Sequence, residues 1–386
     1  MKVALVVERM DPLRGGKETY TAQLAAALAG RGHQVTVVCQ TRDWQPEARI
    51  DFVEVGRRGV TRAKRLRNFV ADVLRHTADG RYDVVHAMLP VPGADLYHPH
   101  GGTVPGSNAA SLRRYSAAIR PAARWLKGLN AARNEAVRLE RQIAEDPRTI
   151  CICVSEMIAE QFRKHYSRSQ GVRVVFNGVE VPDLDEDERA HWRQEMRYRL
   201  GVGREDVVFL TVATNFPLKG VAETIVAFAR HVHRRREHAD ARLVVVGREK
   251  PEGYTRHAGL RDVGRQVVFL PPTPEVFRVY AGADAFVLLT WYDPCSLTVL
   301  EATRWGIPSI TTECNGAASV LRDGAGIVIP TPRDVAGAEA AMRTLTDPDD
   351  RRRRAEACLA VADRLSMDRH VDELLAIYRE VAGRKR

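Results

Sequence analysis

The sequence predicts an α/β protein of two domains, each a parallel sheet covered by helices on both faces. Three observations carry this. The chain has 386 residues and 45% of them are hydrophobic, too long for one ordinary core and rich enough for two. Short β-branched runs alternate with longer helical stretches almost from end to end, the pattern of βαβ units. The alternation breaks at a polar, acidic segment and then starts again.

In the first half the strand-like runs are Val3 to Val7, Val35 to Cys39, Ile50 to Val55, Val84 to Ala87, Ile150 to Val154 and Val172 to Phe176. In the second half they are Val207 to Ala213, Leu243 to Val246, Val267 to Leu270, Ala285 to Leu289, Ser309 to Thr312 and Ile327 to Ile329. Between them Asn177-Gly178-Val179 reads as a turn, and Pro182 to Glu188 as a linker entering a helix. This sets an N-terminal domain at 1–181 and a C-terminal domain at 182–366, both Rossmann-like. Beyond Pro332 no strand remains to be covered, so the last helix, 367–386, is expected to pack back on the first domain.

The formal charge of +10 calls for an anionic partner. Aromatics make up only 6% of residues and the signature of an RNA-recognition sheet is missing, so nucleic acid is disfavoured. The six cysteines sit mostly in apolar runs such as Ile150-Cys151-Ile152-Cys153-Val154, which reads as buried thiols in a reducing cytosol. Zinc at Cys151 and Cys153 lacks a second ligand pair at finger-like spacing. The apolar run from Val3 is cut by Glu8 and Arg9, too early for a signal peptide, and no segment is long enough to span a bilayer.

Two places in this frame suit phosphate chemistry. After the first strand, Gly15-Gly16 precede an amphipathic helix carrying Leu24, Ala27 and Leu28. A diglycine lets backbone approach phosphate at a helix N-terminus, although alone it is an ordinary tight turn. After the strand ending at Leu289 comes Tyr292-Asp293-Pro294-Cys295-Ser296-Leu297-Thr298-Val299-Leu300-Glu301-Ala302. A helix starting near Ser296 would point free N–H groups at a diphosphate, and Glu301, over a turn further in, could accept both ribose hydroxyls. The plain alternatives are N-terminal capping for Asp293 and a solvated helix face for Glu301, but Glu301 among Val299, Leu300 and Ala302 needs a partner.

Asp293-x7-Glu301 followed by Ala302-Thr303-Arg304-Trp305-Gly306-Ile307-Pro308 resembles the fingerprint of the retaining GT-B glycosyltransferases of family 4. Gly15-Gly16-Lys17-Glu18, Asn177-Gly178-Val179, Lys219-Gly220 and Val245-Val246-Gly247 match further landmarks of that family in order. Within it the chain is most similar to the lipopolysaccharide-core glucosyltransferases, through Val246-Gly247-Arg248-Glu249-Lys250-Pro251, Thr214-Asn215-Phe216-Pro217-Leu218-Lys219-Gly220 and Gly93-Ala94-Asp95-Leu96-Tyr97. The resemblance implies a GT-B fold, two Rossmann-like domains facing across a cleft, and transfer of a hexose from a nucleotide sugar to a glycan or lipid-linked acceptor.

The same resemblance implies that Lys219 contacts the donor diphosphate, Glu301 the ribose, Asp293 the sugar hydroxyls, and Gly15-Gly16 the phosphate or sugar. Cys295, Ser296, Leu297 and Thr298 complete the expected donor site. UDP-glucose is the expected donor; GDP-mannose and ADP-heptose stay open because no residue in the sequence identifies the base. A positioned ammonium and helix N-termini can stabilise a departing diphosphate without metal. Asp183-Leu184-Asp185 and Asp347-Pro348-Asp349 fall in a linker and at a helix junction, which disfavours metal-held diphosphate.

The chain departs from the family at two positions: Leu218 precedes the lysine where a second basic residue is usual, and Asp293 replaces glutamate. Arg248 is a candidate for the missing cation. In Tyr97-His98-Pro99-His100-Gly101-Gly102, the family's sugar-contacting histidine falls on His100, with loop packing, or a metal pair with His98, as the alternatives.

Between 107 and 143, arginines and Lys127 interleave with Leu112, Tyr115, Ile119, Trp125, Leu126 and Leu129. This reads as a basic amphipathic surface, interrupted by Pro121, suited to an anionic membrane at the inner face. The competing functions are a non-catalytic sugar-binding or scaffold protein on a degenerate fold, a nucleic-acid binder, and an epimerase or phosphorylase sharing the architecture.

Overall fold

The computed structural model describes residues 1–78, 80–234 and 241–385. Residues 79, 235–240 and 386, the last being the end of the expected C-terminal helix, lie outside the described set. The chain divides into two compact units: Met1–Gly178 together with the segment from Ser366 onward, and Val179–Leu365.

The first unit runs β1 (Lys2–Val6), β2 (Arg9–Met10), α1 (Gly16–Gly30), β3 (Gln34–Cys39), β4 (Thr41–Arg42), β5 (Asp51–Glu54), α2 (Arg62–Thr77), β6 (Val84–Ala87), β7 (Leu96–Tyr97), α3 (Val104–Leu112), α4 (Arg120–Gly128), α5 (Ala131–Glu145), β8 (Ile150–Cys153), α6 (Glu156–Tyr166) and β9 (Val172–Val174). Seven strands form one sheet in the order β5-β3-β1-β6-β7-β8-β9, each neighbouring pair parallel. β6 and β8 are buried at every residue, as strands covered on both faces must be, so their sequences read as continuous apolar runs. β7 escapes sequence reading because two residues hold no periodicity.

The basic stretch differs from the single interrupted element read in the sequence. It forms three helices, α3, α4 and α5, and Pro121 lies in the first turn of α4, where a missing N–H loses no intrahelical bond. Asn130 caps α5 by accepting from the Arg133 N–H at 3.1 Å.

The second unit runs α7 (Glu186–Arg199), β10 (Val207–Val212), α8 (Phe216–Lys219), α9 (Val221–Arg234), β11 (Ala241–Val246), α10 (Glu252–Gly259), β12 (Val267–Leu270), α11 (Val276–Gly282), β13 (Ala285–Leu288), α12 (Leu297–Arg304), β14 (Ser309–Thr312), α13 (Ala318–Leu321), β15 (Gly326–Ile329), α14 (Val335–Thr344) and α15 (Pro348–Ala360), then a 3₁₀ turn at Ala362–Leu365. Its sheet is parallel in the order β12-β11-β10-β13-β14-β15. Asp185 and Glu188 start α7 with reciprocal capping, each side chain taking the other's backbone N–H. Phe209 and Leu243 on the sheet meet Ile225 and Phe228 of α9 and Met342 of α14 in one core. Full burial of such side chains stabilises by about 1.5–3 kcal/mol each.

The last helix, α16 (Met367–Lys385), belongs to the first unit. Val371, Leu374 and Tyr378 are fully buried, and Arg31, the C-cap residue of α1, forks to Asp368 and Asp372 at 2.8 and 2.6 Å. Gly178 lies against the start of α16: a Cβ there would come within 2.6 Å of the Ser366 carbonyl oxygen, so the turn accepts only glycine without moving backbone.

Candidate active site

Each sheet reverses its strand order once, between β1 and β6 in the first unit and between β10 and β13 in the second. Ligands of doubly wound sheets bind beyond the carboxyl ends of strands at such a reversal, because the helices depart to opposite faces there and leave a crevice. The residues expected to hold the donor fall on the segments leaving these strands.

In the second unit, β10 leads into α8, which ends at Lys219, and β13 leads into the loop carrying Asp293. Gly220 brings the two together. It has φ of +68°, and a Cβ would lie 1.9 Å from the Leu289 carbonyl oxygen, so the Lys219-Gly220 pair is a close backbone crossing rather than a surface turn. The Leu218 carbonyl accepts from the Trp291 N–H at 2.8 Å and from the Thr290 hydroxyl at 3.1 Å. With the loops stitched, the Lys219 ammonium donates to Asp293 Oδ2; their side chains are only 19% and 9% exposed. Among the described residues the Lys219 ammonium makes no other hydrogen bond, so two of its donors face no protein acceptor.

Asn315, which the sequence reading passed over, fixes the Asp293 loop from the β14 side. Its Oδ1 accepts from the N–H groups of Ser296 and Ala317 at 3.2 and 3.0 Å, and its Nδ2 donates to Thr311 at 3.0 Å. The Asp293 N–H donates to the Cys314 carbonyl at 3.0 Å. Cys295 is buried in this loop. Ser296 is the N-cap of α12 but its side chain makes no capping bond; it pairs with the Thr298 hydroxyl at 3.0 Å. The first turn, Leu297 and Thr298, is partly exposed, and its N–H groups and helix dipole suit an anion.

Glu301 lies one turn further along α12 and finds its partner in Tyr280, whose hydroxyl donates to Oε2 at 3.0 Å. Desolvation pushes the Glu301 carboxyl up to about 7, while the Tyr280 bond pulls the other way. The group therefore stands near the midpoint between acid and carboxylate at neutral pH.

A pocket of about 450 Å³ opens beside α8, lined by Phe216, Gly247, Arg248, Glu249, Lys250, Pro251 and the Phe269–Pro272 segment. Phe216 and Lys219 are the two ends of the same short helix, and the Phe216 N–H donates to Glu249 at 3.1 Å. Arg248 is exposed on this rim and makes no ion pair among the described residues. The signal was present in Val246-Gly247-Arg248-Glu249-Lys250-Pro251, but only folding sets Phe269 and Pro272 opposite it.

In the first unit, Gly15 caps α1 with extended backbone (φ 173°) and no side-chain bond, so the first turn of α1 also offers open N–H groups. One turn in, Tyr20 contacts His100 at 4.0 Å between ring centroids, and His98 lies 4.2 Å from His100. These rings belong to a buried cluster. The Tyr20 hydroxyl meets His370 Nε2 at 2.6 Å, and His370 Nδ1 donates to the Phe176 carbonyl at 2.7 Å. Tyr378 meets His86 Nδ1 at 2.6 Å, and His86 Nε2 meets His98 Nδ1 at 3.1 Å.

Burial pushes His86 and His370 down to about 3, and His98 and His100 well below the usual range. All four are neutral at pH 7. The Nε2 atoms of His98 and His100 are buried without a hydrogen-bond partner among the described residues. His100 thus offers a hydrogen bond but no charge, and much of its surface is given to packing. No group of three potential metal ligands occurs among the described residues.

Two doubly wound domains, each with an uncapped helix N-terminus at its strand reversal, define the class: a two-domain α/β protein fitted for a phosphorylated ligand. Comparison with known proteins supplies the family. The Glycosyltransferase Family 4 model matches residues 14–182 and the Glycosyl transferases group 1 model matches residues 193–358. The lipopolysaccharide glucosyltransferase WaaG of Escherichia coli K12 is 25% identical over 337 residues, covering 86% of each chain. A D-inositol 3-phosphate glycosyltransferase of Acidothermus cellulolyticus is 25% identical over 428 residues, covering 100% of this chain and 91% of its own. The crystal structure of WaaG superimposes with a TM-score of 0.82 at 23% identity, covering 97% of this chain and 99% of that one. HepE of Anabaena, solved with UDP-glucose, gives 0.73 at 17% identity over 97% and 99% of the two chains.

The chain belongs to the GT-B glycosyltransferases related to family 4. It is a hexosyltransferase that moves a sugar from a nucleotide sugar to a glycan or lipid acceptor.

Proposed function

We propose that this enzyme is a retaining, metal-independent glucosyltransferase that uses UDP-glucose and glucosylates a lipid-linked glycan of the lipopolysaccharide-core kind. The observation that carries the reading is the Lys219–Asp293 pair beside the uncapped first turn of α12. An ammonium with open donors and a row of free N–H groups together favour the charge that develops on a departing diphosphate. The names of two similar proteins, a lipopolysaccharide glucosyltransferase and a protein crystallised with UDP-glucose, support the acceptor class and the donor.

In this reading residues 182–366 form the donor domain. Lys219, Cys295, Ser296, Leu297 and Thr298 receive the diphosphate, Glu301 the ribose and Asp293 the sugar hydroxyls. The pocket lined by Phe216, Phe269 and Arg248–Pro251 takes the uracil base, and Arg248 serves as the second cation in place of a basic residue at Leu218. Residues 1–181 with the C-terminal helix form the acceptor-side domain, whose Gly15-Gly16 turn and His100 contact the transferred sugar. The acceptor hydroxyl attacks on the face the nucleotide leaves, with the departing phosphate oxygen assisting proton removal.

The reading also puts the enzyme at the cytoplasmic face of an anionic membrane. Ile119, Trp125, Leu126 and Leu129 are 57–67% exposed on and beside α4, a helix with no buried residue, among Arg120, Arg124 and Lys127. An exposed apolar row rimmed by cations suits an anionic bilayer surface. No helix among the described residues is long and apolar enough to cross a membrane.

Thermal shift and calorimetry with UDP-, GDP- and ADP-sugars test the donor assignment. UDP-glucose is expected to bind and Glu301→Ala to abolish the binding, while Lys219→Ala is expected to lower turnover by ~10². Failure of every nucleotide sugar to bind, or unchanged kinetics in both variants, would remove the assignment.

A further inference from the structure

We propose that Tyr280 is a positioning residue for donor binding: its hydroxyl holds the Glu301 carboxylate in the orientation that accepts both ribose hydroxyls of the nucleotide. The inference rests on the reading of Glu301 as the ribose ligand and adds a residue that does not itself touch the donor.

Tyr280 is fully buried on α11 and held between two rings, Phe277 and Phe286, at centroid distances of 5.3 and 5.9 Å. Phe277 in turn packs on Trp305 at 5.2 Å. The Arg189 guanidinium lies 4.4 Å from the Trp305 ring centroid and donates to the Trp305 carbonyl at 2.6 Å. Helices α7, α11 and α12 are therefore tied together around this one phenol, which leaves its side chain a single direction.

The hydroxyl has one proton and two acceptors in reach, Glu301 Oε2 at 3.0 Å and the Thr298 carbonyl at 3.2 Å. A carboxylate draws it more strongly than a carbonyl. The bond fixes the rotation of the carboxylate, yet leaves one site on Oε2 and both on Oε1 for a ribose diol. Without it the carboxylate can turn, and the desolvated group more readily takes a proton. A protonated acid presents a donor where a ribose hydroxyl also needs to donate.

The charged and titratable groups around Glu301 do not replace this contact. Lys219 and Asp293 pair with each other, Arg189 of α7 reaches the Trp305 carbonyl, and Arg304, on the same helix, turns to the Val179 carbonyl. Tyr280 is the hydrogen-bond partner that opposes the upward push of burial on Glu301.

The test is the affinity of UDP relative to 2′,3′-dideoxy-UDP, measured by calorimetry from pH 6 to 8.5. GDP or ADP pairs are used instead if the nucleotide-sugar panel selects that base. The ratio cancels diphosphate ionisation and isolates the ribose hydroxyls. For the unmodified enzyme it is expected to favour UDP by roughly tenfold or more above pH 7 and to shrink below it. In Tyr280→Phe it is expected to fall to a few-fold at pH 7 and to recover partly by pH 8.5, with dideoxy-UDP affinity unchanged. A ratio that Tyr280→Phe leaves at its original value, or an equal loss of both ligands, overturns the proposal. Should Tyr280→Phe not fold, 4-fluorophenylalanine incorporated at position 280, which keeps the ring and removes the donor, is expected to give the same fall in the ratio at pH 7, and an unchanged ratio overturns the proposal equally. If instead Glu301→Gln keeps the full ratio, the ribose reading itself fails, whatever Tyr280 does.

Discussion

At the scale of single residues, a side-chain amide does much of the work of shaping the donor loop. Asn315 is 2% exposed and answers two backbone N–H groups, from Ser296 and Ala317, that have no other route to water. Removing it would leave two buried donors unsatisfied. Asn315→Ala is expected to lower unfolding stability by about 2 kcal/mol in urea titration and to weaken nucleotide binding, because in the proposed donor site Ser296 starts the helix that receives the diphosphate. Unchanged stability would mean that water replaces the amide. Neither Asn315 nor Tyr280 was legible in the sequence: each acts through a neighbour 19 or 21 positions away. Lys219, Asp293 and Glu301 could be singled out in the sequence as candidates because spacing along strand ends and helix turns is a local property.

At the scale of elements, α4 and α12 show two fates of an amphipathic helix. α12 buries Val299, Leu300, Ala302 and Thr303 and leaves its N-terminus without a side-chain cap. α4 buries nothing and presents Trp125 and Leu126 outward, 67% and 62% exposed. Its basic residues would each contribute ~1 kcal/mol near an anionic surface, screened by salt. Replacing Trp125 and Leu126 together by Ser is expected to cut cosedimentation with phosphatidylglycerol vesicles at least tenfold while leaving nucleotide affinity intact. Binding that survives this change but is lost in 0.5 M salt would make the contact purely electrostatic. Sequence periodicity marked this stretch as basic and amphipathic, yet could not divide it into three helices. Its breaks depend on a cap at Asn130 and on Pro121 opening a helix, which is local chemistry read correctly only once the ends are known.

At the scale of the whole molecule, α16 is bound to the first unit partly through neutral histidines. His86 and His370 are held down to about 3 by burial, against an unperturbed value near 6.5 in the unfolded chain. Their contribution to stability is complete above pH 6.5 and is lost as the pH falls toward 3, because only the unfolded chain takes up protons in that window. Glu301, raised to about 7, acts in the opposite sense between about 7 and 4.5, so a single acid titration mixes the two. The comparison of His370→Gln with the unmodified protein separates them. The variant is expected to be less stable at pH 7.5, and the gap to close as the pH is lowered to 5. A gap that stays constant with pH would show that His370 contributes by packing alone.

The sequence by itself determined the fold class, the order and extent of nearly every long strand, and the family. Alternation of apolar runs and the spacing from Asp293 to Glu301 are properties of contiguous chain, fixed by strand pleat and helix turn. Tertiary structure alone decided which groups complete those motifs. The Gly220 crossing puts Lys219 on Asp293, the stacked phenol of Tyr280 holds Glu301, and four histidines from β6, the loop after β7 and α16 become one buried cluster. Such contacts join residues far apart in sequence, and their energies come from burial and exclusion of water, which exist only after the chain has folded.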